Sequence, residues 1–239
     1  MNLVILASGM GTRLKKKIPK CLVSFKNKSL LFRIVENSNL FSKIIVVGGY
    51  KSHLIKNEIK KCRLKNIIFV QNKNYKNTNM VESFFKSYNK ITSDVIISYS
   101  DIVYNKSLLK KMIVFKKNHI LLNSNWKKIW KLRMYEKNIF LDAENVLVNK
   151  SDITNIGTKI EKKMPKFQFM GLIRFNKKFL RKIKNFYFKL NNKKIDFTKF
   201  LNLLVENKII KLKYQKTKSF WFEIDTLKDL TALRKYKIR

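Results

Sequence analysis

The chain has 239 residues, 45% of them hydrophobic, which is enough to bury a full core and favours one α/β domain over residues 1–239. Its 2 cysteines are too few for a disulfide framework and show no CxxC spacing, so reduced, structural thiols are expected. No apolar run approaches the roughly 20 residues that span a bilayer, and the first residues show no cleavable signal pattern. Together these features predict a cytoplasmic protein without membrane insertion.

The charge is strongly unbalanced, with 54 Lys and Arg against 15 Asp and Glu and a formal net charge of +39. Such an excess is typical of proteins that bind nucleic acid or an anionic membrane. The lysines, however, are spread along the whole length, in a chain rich in Asn and Ile and poor in Gly and Pro. We therefore interpret most of the charge as a solvated surface that attracts polyanionic substrates, an effect that salt screens.

The N-terminal segment predicts a phosphate-binding loop. The apolar run from Leu3 to Leu6 indicates a buried strand, and residues 8–13 (SGMGTR) follow it directly. Glycines let backbone N–H groups approach phosphate oxygens, and Arg13 adds a planar, charged fork. Lys20 follows Pro19 and places a second cation at a rigid corner.

The next elements predict a parallel sheet with crossover helices. The pattern indicates a short strand over 22–25, a helix over 30–40 capped by Ser29, a buried strand over 43–50, a helix that ends at Ile59 and a strand over 66–71. Alternating strands and helices in this order are typical of a parallel sheet, whose active site lies beyond the carboxyl ends of the strands.

A polar, amide-rich segment from Gln71 to Met80 precedes a helix that contains the apolar Val81, Phe84 and Phe85. An exposed loop is one interpretation in so asparagine-rich a chain. Alternatively, the loop binds a ligand, because amide side chains such as those of Gln71 and Asn79 both donate and accept hydrogen bonds.

Residues 95–99 predict a strand that ends on Ser100 and Asp101. A carboxylate at that tip faces the same crevice as the glycine loop, and its hard oxygens suit the Mg²⁺ of phosphoryl chemistry. We therefore expect Asp101 to be a metal ligand. The alternative is an N-cap for a helix over 106–115.

The middle of the chain contains two tryptophans, Trp126 and Trp130, that share one face of a helix. This spacing usually means core packing, yet tryptophan faces near carboxylates also hold cationic amines. Arg133, Asp142 and Glu144 follow closely. Downstream, the pattern predicts a turn over 153–157, a strand over 166–175 broken by Gly171, a helix over 179–190, and a helix over 196–205 that is capped by Asp196, near the acceptor pocket.

Near the C-terminus, Trp221, Glu223 and Asp225 alternate along a predicted strand, on the side that suits a bound cation. Asp229 falls in the first turn of the final helix, where a negative charge favours the helix dipole.

These segments resemble the nucleotidyltransferase family, the pyrophosphorylases that join a nucleoside triphosphate to a phosphorylated substrate. Residues 6–14 match the family pattern L-A-x-G-x-G-x-R-L, with Pro19-Lys20 downstream; Ser8 and Cys21 are the two departures. Residues 221–230 resemble its closing W-x-E-I-D-T-x-x-D-L. One branch of the family is resembled by four segments together: the run NxxWxxxWxxR, the DAE that follows, the I-x-x-I-G turn over 153–157 and residues 169–172 (FMGL). This branch comprises the cytidylyltransferases for phosphocholine, aminoethylphosphonate and similar small phospho-compounds.

The resemblance implies a Rossmann-like, GT-A-type fold, with a mixed, mainly parallel sheet flanked by helices. It implies CTP, or another NTP, as donor, and Mg²⁺ held by Asp101 and Asp225. Arg13 and Lys20 are the expected catalytic residues. Nucleotide binding is expected of Leu6, Ala7, Ser8, Gly9, Met10, Gly11, Thr12, Arg13, Lys20, Gln71, Asn79 and Ser100. Substrate binding is expected of Trp126, Trp130, Arg133, Asp142 and Glu144.

Two other functions are compatible with parts of the pattern. One is a sugar-1-phosphate nucleotidyltransferase of the same fold. The other is a non-catalytic, basic nucleic-acid binder, against which the carboxylates at the strand tips argue, because without metal they repel phosphate. We therefore expect a small phosphorylated or phosphonate substrate and no nucleic acid.

Overall fold

The computed structural model describes residues 1–14, 16–134, 136–160 and 164–235, without the side chains of residues 136 and 137. Its strands are β1 (Asn2–Ala7), β2 (Ser24–Phe25), β3 (Lys28–Ser29), β4 (Lys43–Gly48), β5 (Ile67–Gln71), β6 (Val95–Tyr99), β7 (Ile102–Tyr104), β8 (His119–Asn123), β9 (Asn145–Asn149), β10 (Asp152–Thr158), β11 (Gln168–Phe175), β12 (Lys213–Thr217) and β13 (Trp221–Glu223). Its α-helices are α1 (Leu30–Glu36), α2 (Ser52–Lys61), α3 (Met80–Lys86), α4 (Lys106–Val114), α5 (Trp126–Arg133), α6 (Glu136–Asp142), α7 (Lys177–Lys189), α8 (Phe197–Glu206) and α9 (Leu227–Lys235).

The largest sheet has nine strands in the order β5-β4-β1-β6-β11-β8-β12-β10-β9. Strands β5, β4, β1 and β6 pair in parallel, as do β8 and β12. Strand β11 runs antiparallel to both β6 and β8, and β9 and β10 form an antiparallel edge. Helices α1, α2 and α3 lie in the crossover connections that parallel strands require. The predicted α/β fold, a mixed, mainly parallel sheet flanked by helices, is confirmed.

Strand β1 is buried on both faces, which explains its unbroken apolar run. Leu3 and Ile5 pack into one apolar cluster, whereas Val4 and Leu6 pack into a second cluster on the other face. Full burial of an aliphatic side chain of this size stabilises the fold by about 1.5–3 kcal/mol. The strand is therefore a rigid base for the glycine loop that follows it.

Two other features of the core follow from the sequence. The cysteines are free, as expected, and burial raises the pKa of Cys62 to about 11 and that of Cys21 further still. Among the described residues, no helix combines the length and apolarity needed to cross a bilayer.

Local hydrogen bonds fix several helix starts. The Ser29 hydroxyl accepts a hydrogen bond from the Phe32 N–H at 3.0 Å, and the Asp196 carboxylate accepts one from the Lys199 N–H at 2.8 Å, so both predicted N-caps are confirmed. Helix α4 begins after Asn105, and the alternative that Asp101 caps it is therefore wrong.

Four element predictions need correction. A 3-10 turn, Lys20–Leu22, replaces the start of the strand predicted over 22–25, and α1 ends at Glu36, short of residue 40. The turn predicted over 153–157 lies inside β10, because Gly157, at φ +81°, sits at a register shift that keeps the strand paired. Gly171 likewise accompanies a register shift against β8 and does not break β11.

Candidate active site

The carboxyl ends of β1 and β6 bring the glycine loop beside Asp101. Leu6 pairs with Tyr99 in the parallel register of these neighbouring strands, so the residues after them meet at one edge of the sheet. A cavity of about 120 Å³, here called the loop cavity, lies between them. Predicted nucleotide-binding residues that border it are Leu6, Ala7, Ser8, Gly9, Lys20, Asn79 and Ser100, together with Asp101. The remaining ones, which do not border it, are Met10, Gly11, Thr12, Arg13 and Gln71.

The two loop glycines have different roles. Gly11 has φ +62°, and a Cβ on it would lie 2.8 Å from the Cβ of Lys20, so the fold itself requires glycine there. A Cβ on Gly9, by contrast, would meet no atom within 4 Å. Because Gly9 borders the loop cavity, the absence of its side chain keeps ligand space open.

The amide-rich segment after β5 is organised by Asn72, which sequence analysis did not single out. Its buried carboxamide donates to the hydroxyls of Thr78 and Ser83, at 3.0 Å each, and accepts from the Asn74 N–H at 3.1 Å. Thr78 and Ser83 border the loop cavity. Gln71 is exposed at the end of β5, so the amide that shapes this loop is its neighbour.

A second pair of strands brings Asp225 to Asp101. Strand β13 pairs with β7, with Glu223 opposite Ile102, and the Ile224 N–H donates to the Asp101 carbonyl oxygen at 2.9 Å. Lys20 Nζ donates to Asp101 Oδ2 at 2.6 Å and also to Asp225 Oδ1. Two acids far apart in the chain thus converge on one cation from the N-terminal segment.

Opposite charges shift the ionisation of this cluster. Burial alone would lower the pKa of Lys20, but Asp101 and Asp225 outweigh it and raise that pKa well above its usual range. Burial alone would raise the pKa of Asp225, yet Lys20, together with Arg13 at 2.8 Å, holds it below its usual value. Burial and the neighbouring Asp225 raise the pKa of Glu223 to about 8.

Arg133 contacts the carboxylate oxygen of Asp225 that Lys20 does not contact. Its buried guanidinium donates to Asp225 Oδ2 at 3.0 Å, to Glu223 Oε2 at 3.2 Å and to Asp229 Oδ1 at 3.0 Å. Asp229 Oδ2 in turn accepts from the backbone N–H groups of Asp225 at 2.9 Å and Thr226 at 2.7 Å. The geometry therefore favours a positioning role for Arg133 over the expected substrate contact.

The carboxylates fit a hard divalent cation. Asp101, Glu223 and Asp225 each offer an oxygen, and these atoms all lie within 4.8 Å of one another. Asp101 Oδ1 is buried without a hydrogen-bond partner among the described residues, which leaves it available as a ligand. Oxygen donors of this kind are what Mg²⁺ prefers.

A second cavity, of about 210 Å³, lies next to this cluster. We call it the acidic cavity because its border includes Asp142, Glu144, Asp196, Glu223 and Asp225. Trp130 borders it and donates its indole N–H to Asp142 Oδ2 at 2.8 Å.

Trp126 does not reach the acidic cavity. It is fully buried, packs edge-on against Trp130 with ring centroids 5.7 Å apart, and donates its indole N–H to the Pro165 carbonyl. The expected substrate contact of Trp126 is therefore replaced by core packing, which was the alternative.

Comparison with known proteins identifies the family of the chain. The model of the MobA-like NTP transferase domain matches residues 3–122. The CTP:phosphoglutamine cytidylyltransferase of Campylobacter jejuni is 34% identical over 96% of this chain and 98% of its own length.

Two solved structures share the fold. The inositol-1-phosphate CTP transferase of T. maritima superposes with a TM-score of 0.78 at 20% identity, over 98% of this chain and 96% of its own. The CTP:phosphocholine cytidylyltransferase of Streptococcus pneumoniae superposes with a TM-score of 0.75 at 15% identity, over 98% and 97%. With the family model and the full-length relative, the assignment is clear: the chain belongs to the family of MobA-like NTP transferase domains, the nucleotidyltransferases.

Proposed function

We propose that the protein is a Mg²⁺-dependent cytidylyltransferase that transfers CMP from CTP to a small phosphorylated or phosphonate compound and releases pyrophosphate. The observation that carries this proposal is the convergence of Asp101, Asp225 and Lys20 beside the glycine loop. The C. jejuni relative matches this chain over nearly its whole length and is named as a CTP-using cytidylyltransferase, which supports the choice of CTP as donor.

In this proposal the triphosphate lies along residues 8–13, and the base lies near Asn79 on the loop that Asn72 organises. Asp101 and Asp225 would hold Mg²⁺, which when bound supplies neutralisation of phosphate charge. Arg13 is exposed on one side of Asp225, where its guanidinium can turn from the carboxylate to a phosphate oxygen. Lys20, the second cation, is buried between the carboxylates and is already aligned toward them.

The chemical step needs little proton transfer. An anionic oxygen of the acceptor attacks the α-phosphorus in line, the new P–O bond forms, and the bond to the β-phosphate oxygen breaks as pyrophosphate leaves with the electron pair. Lys20 and Arg13 stabilise the charge that builds up, so catalysis comes from positioning and electrostatics.

The test is pyrophosphate release from CTP and Mg²⁺ with a panel of acceptors: phosphocholine, aminoethylphosphonate, inositol phosphate and hexose 1-phosphates. Lys20→Ala and Asp101→Asn should abolish release. Glu206→Gln, a change on the exposed surface of α8 where the carboxylate accepts from Asn202, should not. Preference for a hexose 1-phosphate with another NTP would replace the proposal by the sugar-nucleotide alternative. No release with any pair would refute nucleotidyl transfer.

A further inference from the structure

One end of the acidic cavity carries negative charge that forms no ion pair within the described part of the chain. Among the described residues that border this cavity, Arg13 is the one cation, although the chain has 54 Lys and Arg. Asp225 and Glu223 are paired with Arg133, and Asp142 lies 3.9 Å from it. Glu144 and Asp196 pair with no described lysine or arginine; each contacts the hydroxyl of Thr198 instead.

That hydroxyl cannot satisfy both carboxylates. Thr198 Oγ1 lies 2.9 Å from Glu144 Oε1 and 3.0 Å from Asp196 Oδ1, but a hydroxyl has a single proton to donate. Gly157 packs closely beneath it, since a Cβ on this glycine would lie 2.8 Å from the Thr198 Cβ, and so keeps the hydroxyl in place. Burial, then the charge of Asp196, raises the pKa of Glu144, as expected for a carboxylate that lacks a cation. Asp196 also accepts from the Lys199 N–H at 2.8 Å, whereas Glu144 has no second hydrogen-bond donor among the described residues.

An independent side chain in the same cavity is also short of a donor. Gln168 is 5% exposed, borders the acidic cavity, and its carboxamide oxygen is buried without a hydrogen-bond partner among the described residues. A buried, unpaired carboxamide oxygen costs stability unless a ligand supplies the missing N–H. Gln168 and the Glu144–Asp196 pair can thus accept hydrogen bonds from the same kind of ligand group, one that carries N–H donors.

The aromatic rings that border the acidic cavity already make contacts with one another and with Arg133. Trp130 stacks on Trp221 with centroids 5.2 Å apart and carries the Arg133 guanidinium 4.5 Å above its ring. Tyr99 packs edge-on against Phe169 at 5.8 Å. The cation–π contact of Trp130 is thus already made within the protein.

We infer that the Glu144–Asp196 end of the acidic cavity, with Gln168, binds an ammonium group that carries N–H donors. The acceptor would then be a phosphorylated or phosphonate compound with a primary amine at its other end, and a quaternary amine would be a poor substitute. Three N–H donors match the acceptors present, whereas a trimethylammonium group offers none. This inference rests on the proposed nucleotidyl transfer.

The test is a matched series of acceptors: phosphoethanolamine, its N-methyl and N,N-dimethyl derivatives, and phosphocholine, in which N–H groups are replaced one by one by N-methyl groups. With CTP and Mg²⁺, kcat/KM should fall along the series by about 10- to 100-fold in total, mostly through KM, the range expected for the loss of hydrogen bonds to charged groups. Inositol phosphate, which has no amine, is the control for the amine itself.

Each outcome is decisive. A flat or rising series, or turnover confined to inositol phosphate, overturns the inference and leaves nucleotidyl transfer standing. Absence of pyrophosphate with every acceptor and NTP overturns the proposed function, and the inference with it.

Substitutions of the three acceptor residues test whether these side chains bind the ammonium group. Glu144→Gln and Asp196→Asn should raise KM for phosphoethanolamine about tenfold or more, and should thereby lower the preference for phosphoethanolamine over phosphocholine. Asparagine retains the cap of α8, so the second variant should fold. Gln168→Leu should weaken the preference without lowering the melting temperature, because the oxygen it removes has no hydrogen-bond partner in the described part of the structure. Glu206→Gln is the matched control. Variants that keep the full preference would overturn the assignment.

Discussion

Two buried arginines allow a sharp separation of stability from activity. Arg133 and Arg174 are 4% and 2% exposed, and both guanidiniums are held by several oxygens. Arg133 contacts the carboxylates of the candidate active site. Arg174 donates to Asp94 at 2.9 Å and to carbonyls at the end of α4, remote from that site.

Replacing Arg133 by methionine removes one partner of a buried ion pair, and this costs about 3–5 kcal/mol because the charges of Asp225 and Asp229 stay buried. We expect Arg133→Met to lower the free energy of unfolding by this amount, and Arg174→Met to lower it by less, because the side chain of its partner Asp94 is 32% exposed. Lysine is a poor replacement at residue 133, since a single ammonium cannot span the carboxylates of Asp225, Glu223 and Asp229.

The assay is urea unfolding followed by far-UV circular dichroism, together with pyrophosphate release at a temperature where both variants remain folded. Arg133→Met should lose at least about tenfold in kcat, because Asp225 loses the group that orients it, equal to about 1.4 kcal/mol. Arg174→Met should keep the wild-type kcat. Equal kcat values for the two folded variants would refute the positioning role of Arg133.

Further predictions concern the loop, the metal and pH. Gly9→Ala should leave the melting temperature unchanged and weaken CTP binding in calorimetry. Gly11→Ala should lower the melting temperature, since Gly11, unlike Gly9, has a positive φ and a crowded Cβ position. The opposite pattern would contradict the roles of these two glycines. Chelation with EDTA should abolish pyrophosphate release, and excess Mg²⁺ should restore it in the wild type but not in Asp101→Asn. Pyrophosphate release in the presence of EDTA would contradict the proposed metal dependence. Burial lowers the pKa of His119 from 6.5 to about 4, so between these values the unfolded state binds more protons and stability falls as pH falls. His119 should therefore lower the free energy of unfolding by about 1.4 kcal/mol for each pH unit of acidification. In His119→Gln, the free energy of unfolding should fall less steeply between pH 6 and pH 5 than in the wild type.

The sequence predicted much of the sheet because its central strands are long and apolar. Strand β1 and strand β6 are buried on both faces, so their runs are unbroken and their ends are easily placed. Strand β12, with the sequence KYQKT, was missed because only Thr217 of its residues is buried. Backbone pairing with β8, and not side-chain pattern, defines it.

The site could be predicted only where charge and strand position coincide. Asp101 stands out at a strand tip, but the partners of Arg133 lie some ninety positions away and meet it through the pairing of β13 with β7. Gln168 carried a usable signal, as a polar residue within the buried strand β11. Thr198 carried none, because its importance lies in two carboxylates that approach it from different segments.

The most direct test of the central claim is ³¹P NMR of a mixture of the protein, CTP, Mg²⁺ and phosphoethanolamine. The account predicts that resonances of a CDP-linked product and of pyrophosphate appear together with the wild type and are absent with Asp225→Asn. Product formation by Asp225→Asn at the wild-type rate would contradict it, because the carboxylate that meets Asp101 at Lys20 would then be dispensable.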